Sequence, residues 1–562
     1  MKKFRFSVVF FAIFLLLTQT LVYSEAVEKK IVKRLEKEVV PVIEKDMARM
    51  NVPGLSMAVV SEGKILWKKG FGYQNREKKI PANPETVYRV GSISKLFNAI
   101  AIMQQQEKGK VDIDAEIKKY LPYMDFKNPY DKPAIITLRH LLSHRAGILR
   151  ECPVGHYFDD TEPSIEDTAK SMVGTTLVYP PGLKTKYSNV GVGIAGHILE
   201  KLTEMDFAHY QKEFILKPLK MKSSSFLPEK FIKEKVAQGY MRDLEGKQWE
   251  APPFRFGYLP AANLYSTVID LSKFINFIFK EGKPLLKNET FKQMLTVQFT
   301  DKKDSLGFGL GFSISKLHNY RSVGHSGAVY GFSSNLVAVP EKKLGVVVCN
   351  NLDGANGFNS KIVIISLGIA LEEKTDKKIL NIPEPLEASS SELKKYEGKY
   401  ERNGFPVWLV MRNEKLCYEP YGTRKQLRLV AEKEFITDDL FGYGERVLVV
   451  EENGKLKGIN INKRFYKKAD EAKEKESPPP ALWKRLIGEY GPDFNIMKVY
   501  EKDGKLTVLV EWFYEYPLQQ IQGLMFKFPD YGLYMDEEFV FKEKEGKIVE
   551  AMFGPVSFKR RD

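Results

Sequence analysis

Apolar and polar positions change their rhythm several times along this chain of 562 residues. Residues 28–50 predict a helix of mixed charge. Leu55-Ser-Met-Ala-Val-Val60 and Ile65-Leu-Trp67 are apolar runs on either side of Ser61-Glu-Gly-Lys64, which predicts strand, turn and strand. Residues 92–108 predict a buried helix that stops at Gly109. Further helical patterns cover 137–145, 191–203 and 267–279, and residues 306–314, 329–339 and 344–350 read as consecutive strands. A sheet begun at 55–67 is thus interrupted by a largely helical middle and completed near 306–350. That layout is an α/β (α+β) domain with a helical insertion.

The rhythm changes after residue 372. Residues 373–390 hold charges, Pro383, Pro385 and Ser389-Ser-Ser391, and read as a linker. Residues 471–481 are a second linker, with Pro478-Pro-Pro480 as a stiff spacer. The two segments they delimit, 391–470 and 482–562, repeat each other. Leu393-x-x-Tyr396-x-Gly398-x-Tyr400 matches Trp483-x-x-Leu486-x-Gly488-x-Tyr490, and Lys415-Leu416 matches Lys505-Leu506 at the same offset. Gly454-Lys455 and Tyr466-Lys-Lys468 then match Gly546-Lys547 and Phe558-Lys-Arg560. Both units alternate apolar and polar positions between turn signals, so the C-terminal region is expected to be all-β and barrel-like. Two small barrels, or two halves of one closed barrel, satisfy the pattern. Trp512, Phe513 and Tyr514 are expected to be core strand residues of the second unit.

At the other end, Lys2, Lys3 and Arg5 precede the apolar run Val8–Leu17, with Val22 and Ser24 small enough for a cleavage site. This reads as a secretory signal peptide over residues 1–24. An uncleaved anchor is the alternative, so a membrane partner is expected only if the segment stays attached. The protein is expected to be exported, periplasmic or secreted.

Composition narrows the function classes. The chain is 43% hydrophobic and 28% charged, which excludes a disordered or collagen-like chain. The net charge of +15 is spread lysine rather than a basic block with interleaved aromatics, so no nucleic-acid partner is expected. Cys152, Cys349 and Cys417 are far apart and form neither a disulfide framework nor a zinc ribbon, although one pair could bridge.

The candidate chemistry begins at Ser92-Ile-Ser-Lys95. On a helix, positions i and i+3 share a face, so a desolvated lysine could take the proton of the serine hydroxyl. The pattern also occurs at Ser61, Ser313 and Ser391, but only Ser92 precedes a long apolar helix. Tyr187-Ser-Asn189 is the second element. A tyrosine can act as a base if cations lower its pKa, and Asn189 could hold Lys95 or a substrate carbonyl. Tyr73-Gln-Asn75 is its rival in the first hairpin. The third element is His325-Ser326-Gly327-Ala328, the only His-x-Gly in the chain. Gly327 would let a substrate backbone lie against the strand edge, and the Ala328 N–H could join that of Ser92 as an oxyanion donor. No motif for a metal or nucleotide is present, so no cofactor is expected.

Taken in order, Ser-x-x-Lys, Tyr-x-Asn and His-x-Gly resemble the serine β-lactamase and penicillin-binding superfamily. The resemblance is stronger to the branch of class C β-lactamases, D-alanyl-D-alanine carboxypeptidases of peptidase family S12, D-aminopeptidases, family VIII esterases and LACTB-like proteins. Val52-Pro-Gly-Leu-Ser-Met-Ala-Val59, Tyr88-Arg-Val-Gly-Ser92, Leu138-Arg-His-Leu-Leu-Ser-His144 and Leu264-Tyr-Ser-Thr267 support it over about residues 30–370. The β repeats are more distantly similar to lipocalin-like tails.

The resemblance implies a β-lactamase/transpeptidase-like domain over 28–372, with Ser92 as nucleophile and Lys95 and Tyr187 as proton shuttle. The substrates implied are small peptides, amides or esters, with a family VIII-type carboxylesterase or a weak class C-like β-lactamase as alternatives. A non-catalytic scaffold or cell-wall peptide binder on the same fold is the alternative of another class. Two departures stand out. His325 replaces the lysine of class C enzymes, exchanging a fixed cation for one expected to titrate near pH 6.5 and leaving Tyr187 with one permanent cationic neighbour. Ala262-Asn263 stands where relatives often carry a glycine pair beside the cleft.

Overall fold

The computed structural model describes residues 25–561 apart from 301, 303–305, 404, 421 and 470–479. The signal-peptide reading, and most of the spacer before Pro480, lie outside the described residues. Among those described, no helix is long and apolar enough to cross a membrane.

Residues 25–50 are helical and lie beside the helix Asn356–Thr375. Both pack on one face of an eight-stranded antiparallel sheet. Its order is Ile80–Pro81, Lys64–Asn75, Gly54–Ser61, Leu344–Asn350, Phe332–Val339, Tyr320–Val329, Ser313–Leu317 and Gly307–Phe308. The early and late strands of the domain therefore meet at the centre, where Leu55 pairs with Asn350 and Ser61 with Leu344.

Every residue of Gly54–Ser61 is buried because helices cover both faces of the sheet. Leu55, Met57 and Val59 face Val39, Ile43 and Phe358, whereas Ala58 and Val60 face Ile100 and Phe274. The second face carries the helices Ser94–Glu107 and Val268–Phe279 and the helical insertion with Asn189–Thr203.

The late strands differ from the sequence expectation. The stretch 306–314 is split into Gly307–Phe308 and the start of Ser313–Leu317, which pair with each other, and one hairpin, Tyr320–Val329 with Phe332–Val339, replaces the single strand expected from 329. The strand Tyr320–Val329 is interrupted by glycine, serine and histidine, so it carries no apolar run. Cys152, Cys349 and Cys417 are all free and buried.

The C-terminal repeats adopt two related but unequal forms. Residues 398–468 close into an eight-stranded antiparallel barrel filled by Tyr400, Leu409, Leu416, Phe435, Val447 and Ile459. The second unit is a four-stranded sheet, residues 488–517, and a five-stranded sheet, residues 519–559. An isolated bridge between Tyr490 and Arg560 joins them. Its nine strands match the eight of the first barrel, except that the strand equivalent to Lys425–Ala431 is broken at Leu518 into Tyr514–Pro517 and Gln519–Gln522. The Tyr400 hydroxyl donates to the Tyr396 carbonyl at 2.6 Å, and the Tyr490 hydroxyl to that of Leu486 at 2.7 Å. The first repeat thus closes on itself, which excludes two halves of a single barrel.

Two residues of the aromatic triplet also depart from expectation. Glu511 and Trp512 have φ of 54° and 68° and form a hairpin turn. Trp512 meets Trp249 at 4.8 Å and Phe513 meets Phe441 of the first repeat at 5.2 Å. Trp512 and Phe513 form a junction between units rather than strand core, whereas Tyr514 begins the strand Tyr514–Pro517.

Candidate active site

Ser92 sits in the turn Gly91–Ile93 that leads into the helix Ser94–Glu107. The Val90 N–H donates to the Leu264 carbonyl at 2.9 Å, and the Leu264 N–H to the Ser94 hydroxyl at 3.0 Å, which ties the turn to the neighbouring strand. Ile93 occupies the cap position, and no side chain caps the helix. The half-buried Ser92 hydroxyl is therefore free for other partners. Lys95 Nζ donates to it at 3.0 Å, and the hydroxyl is near enough to the Tyr187 phenol to pull that phenol's pKa down. In the other Ser-x-x-Lys sequences, Lys64, Lys316 and Lys394 are exposed.

Lys95 is buried, and its Nζ also donates to Asn189 Oδ1 and the Ala261 carbonyl, both at 2.9 Å. Burial, followed by the charge of Arg150, holds its ammonium well below the usual lysine range, against the pull of Glu151. A neutral Lys95 presents a lone pair to the Ser92 hydroxyl.

Tyr187 lies just before the helix Asn189–Thr203, which Ser188 caps by accepting the Gly191 N–H. Its ring stacks on His144 with centroids 4.1 Å apart, and Lys95 Nζ lies 4.9 Å from its centroid. Desolvation pushes the phenol up to about 12, outweighing the Ser92 hydrogen bond and the Arg150 charge. The expectation of a lowered tyrosine pKa is therefore reversed, because burial outweighs the cations. Asn189 spans two partners: its Oδ1 accepts from Lys95, and its Nδ2 donates to Glu151 Oε1 at 2.9 Å. The rival Tyr73 and Asn75 lie on the strand Lys64–Asn75.

His325 to Val329 follow the point, Gly324, at which their strand stops pairing with Ser313–Leu317. His325 and Gly327 are buried, while Ser326 and Ala328 are exposed. A Cβ at Gly327 would stand 2.0 Å from the Val90 carbonyl oxygen, and one at Gly91 would stand 2.8 Å from the Ala328 nitrogen. Two glycines thus permit the strand to press its Ala328 backbone against the turn that carries Ser92. Gly327 serves this internal contact at the strand edge expected to meet substrate.

The ring centroid of His325 is 6.3 Å from that of Tyr187. Its Nδ1 contacts the Ser326 carbonyl, and its Nε2 is buried with no hydrogen-bond partner. Burial and the nearby Lys95 push its imidazole down to about 4. It is a neutral group at pH 7, not the switch near pH 6.5 that the sequence suggested.

Several residues of the site were absent from the sequence reading. His144 backs the Tyr187 ring, and its Nδ1 accepts the Ser188 N–H at 3.2 Å. Arg150 places its guanidinium carbon 5.7 Å from the Tyr187 centroid, so the charge beside Tyr187 comes from Arg150 while Lys95 is held towards its neutral form. Its Nε lies 3.3 Å from Glu151 Oε1. No periodicity or motif marks Arg150-Glu151, which owe their position to the fold around them. Ala262-Asn263 also acts differently than expected, since Asn263 turns inward to bond the Phe256 backbone and the neighbouring Ala261 carbonyl holds Lys95. Among the described residues, no three His, Cys, Asp or Glu side chains are placed to hold a metal ion.

The geometry can be set beside known proteins. Residues 39–363, more than half of the chain, match the Beta-lactamase family. Protein flp of Staphylococcus aureus strain MW2 is 26% identical over 327 residues, 57% of this chain and 63% of that protein. Beta-lactamase-like protein 2 of Dictyostelium discoideum is 28% identical over 322 residues, 55% of this chain and 58% of that protein. The chain thus spans less than two thirds of these relatives. A solved structure, the octameric penicillin-binding protein homologue from Pyrococcus abyssi, aligns with TM-score 0.56 and 25% identity over 86% of this chain and 99% of that one. The chain belongs to the Beta-lactamase family, and its fold is that of the serine β-lactamases and penicillin-binding proteins.

Proposed function

We propose that this protein is an exported serine hydrolase that cleaves small amides, peptides or esters through an acyl-enzyme at Ser92. The observation that carries the reading is the buried Lys95 whose Nζ meets Ser92 Oγ at 3.0 Å and lies 4.9 Å from the Tyr187 ring centroid. Ser92 Oγ attacks the substrate carbonyl carbon, and its proton passes to Lys95 Nζ. The N–H groups of Ser92 and Ala328 stabilise the oxyanion. Tyr187, protonated at rest, donates its proton to the leaving nitrogen or oxygen as the acyl bond breaks, and Lys95 returns a proton to Tyr187. Water then attacks the ester carbonyl, giving one proton to this pair, and the carboxylic acid leaves as Ser92 regains its hydrogen. Asn189 and His325 border the bound acyl group.

The neutral His325 supports preference for esters and small amides over β-lactams, since a β-lactam carboxylate finds no fixed cation there. Intact mass after exposure to a fluorophosphonate, and separately to a penicillin, tests the reading. A single fluorophosphonate adduct on the wild type, absent in Ser92→Ala, is expected. Folded wild-type protein that gains no adduct would overturn it and favour a non-catalytic binding role. Penicillin hydrolysed faster than every ester and D-amino-acid amide tried would sink the substrate preference.

A further inference from the structure

We propose that Arg150 is a positioning residue for this acyl transfer, and that the second C-terminal repeat, by locking Arg150 against Tyr187, is a structural part of the catalytic site. The inference rests on the acyl-transfer reading and adds to it a residue outside the three motifs and a contribution from the tail.

The Arg150 guanidinium is held between two tyrosine rings. Its carbon lies 5.7 Å from the Tyr187 centroid and 5.7 Å from that of Tyr534, which belongs to the second repeat. The Tyr534 hydroxyl is fixed in turn by Glu511 Oε1 at 2.6 Å. The Arg150 backbone is held as firmly. Its N–H donates to Glu537 Oε1 at 2.9 Å, and its carbonyl accepts the Asn189 N–H at 3.0 Å. Glu537 also pairs with Lys186 at 2.7 Å, both side chains being almost wholly buried. One carboxylate of the repeat therefore touches both the residue before Tyr187 and the residue that receives the Asn189 N–H.

These contacts are built into the repeat. Glu511 stands in a left-handed backbone conformation that bulky residues seldom adopt. Glu537 ends a connection, residues 528–537, whose counterpart in the first repeat spans only 439–442. Buried carboxylates are rare unless paired, and here the repeat supplies two to one small region of the catalytic domain.

The chemical effect follows from the position of the charge. A cation near Lys95 favours its neutral form, and the same cation favours the phenolate of Tyr187. Lys95, His144, Arg150, Glu151 and His325 face the Tyr187 ring or its hydroxyl, with Glu151 opposing Arg150. Loss of the Arg150 charge should raise the pH at which Lys95 loses its proton.

The test measures the rate at which a fluorophosphonate labels Ser92 in the full chain, across about pH 6 to 10. Arg150→Gln is expected to slow labelling about tenfold at neutral pH and to move the acid limb of the profile upward. Arg150→Lys should keep the limb near its wild-type position, because the charge remains. Equal rates in the wild type and a folded Arg150→Gln would overturn the inference alone, as would a loss of rate in both variants with no movement of the limb. Tyr534→Ala supplies the arm that does not touch Arg150 itself and should slow labelling about fivefold. An unchanged rate in folded Tyr534→Ala would overturn the part assigned to the repeat. Folded wild-type protein that is never labelled would overturn the acyl-transfer reading, and this inference with it.

Discussion

The two C-terminal repeats share a sequence signature and a strand order, yet they meet the catalytic domain in opposite ways. The first closes its barrel around a private core. It presents Asp438 to Lys361 of the helix Asn356–Thr375, where Asp46 shares the same ammonium. The second is broken at Leu518, and its core is continuous with that of the catalytic domain. Phe158 packs on Phe558 at 4.9 Å, and Phe254 on Phe494 at 5.0 Å. Asp438 ends its strand and Glu537 ends the connection that follows the equivalent strand, but one docks on the outer helical layer and the other on Arg150 and Lys186. A duplicated β unit keeps its internal staples while its edges and loops follow whatever surface it covers.

The largest expected effect separates private from shared cores. Phe553→Ala should destabilise the protein by about 3–5 kcal/mol and lower the catalytic and second-repeat transitions together. Leu409→Ala should remove about 2–5 kcal/mol from the first barrel while leaving the catalytic transition in place. Calorimetry of both variants checks this, and a catalytic transition that moves equally in both would break the comparison.

The two anchoring carboxylates should differ as well. Glu537→Gln strands the buried Lys186 ammonium and is expected to cost about 3–5 kcal/mol in urea unfolding. Asp438→Asn leaves Lys361 with Asp46 at 2.7 Å, so a loss of about 1–2 kcal/mol is expected. Equal losses would show that the two interfaces are held alike.

A pH dependence belongs to the second interface. Desolvation, with Glu511 adding to it, pushes the Asp353 carboxyl up to about 8, although Arg242 opposes this. The folded state then holds a proton that the unfolded chain releases near pH 4. Stability contributed by this group is present at low pH and declines as pH rises from about 4 to 8, by at most about 1.4 kcal/mol per pH unit. Asp353→Asn should flatten that decline in unfolding measured across the same range. An unaltered slope would remove Asp353 from the account.

The smallest effect is the one the repeats share. Tyr400→Phe and Tyr490→Phe each delete a hydroxyl bond to a carbonyl four residues earlier, and each should lose about 1 kcal/mol. Unequal losses would indicate that the common signature does different work in the two units.

Legibility in the sequence followed the range of the interaction. Gly54–Ser61 and Ser94–Glu107 are legible because continuous apolar burial leaves a local trace. Ser92, Lys95, Tyr187 and Asn189 are legible as short motifs, and the fold bonds Lys95 to Ser92 and Asn189 and sets it over the Tyr187 ring. Their protonation was not legible, because it depends on desolvation by distant segments. Tyr187 was expected to be lowered and is raised, and His325 was expected near pH 6.5 and lies near 4. Arg150 and Glu537 are 387 positions apart, and no local pattern relates them. The broken strand at Leu518 left no signal either, since Tyr514–Gln522 alternates much as an unbroken strand would.

The position of Glu537 along the chain sets the order in which a new molecule becomes complete. The central pairing of Gly54–Ser61 with Leu344–Asn350 must wait for more than half of the polypeptide. The Arg150 N–H waits longer, for an acceptor 387 positions further along the chain. During synthesis the surroundings of Ser92 therefore stay incomplete until Glu537 has been made, long after the nucleophile itself.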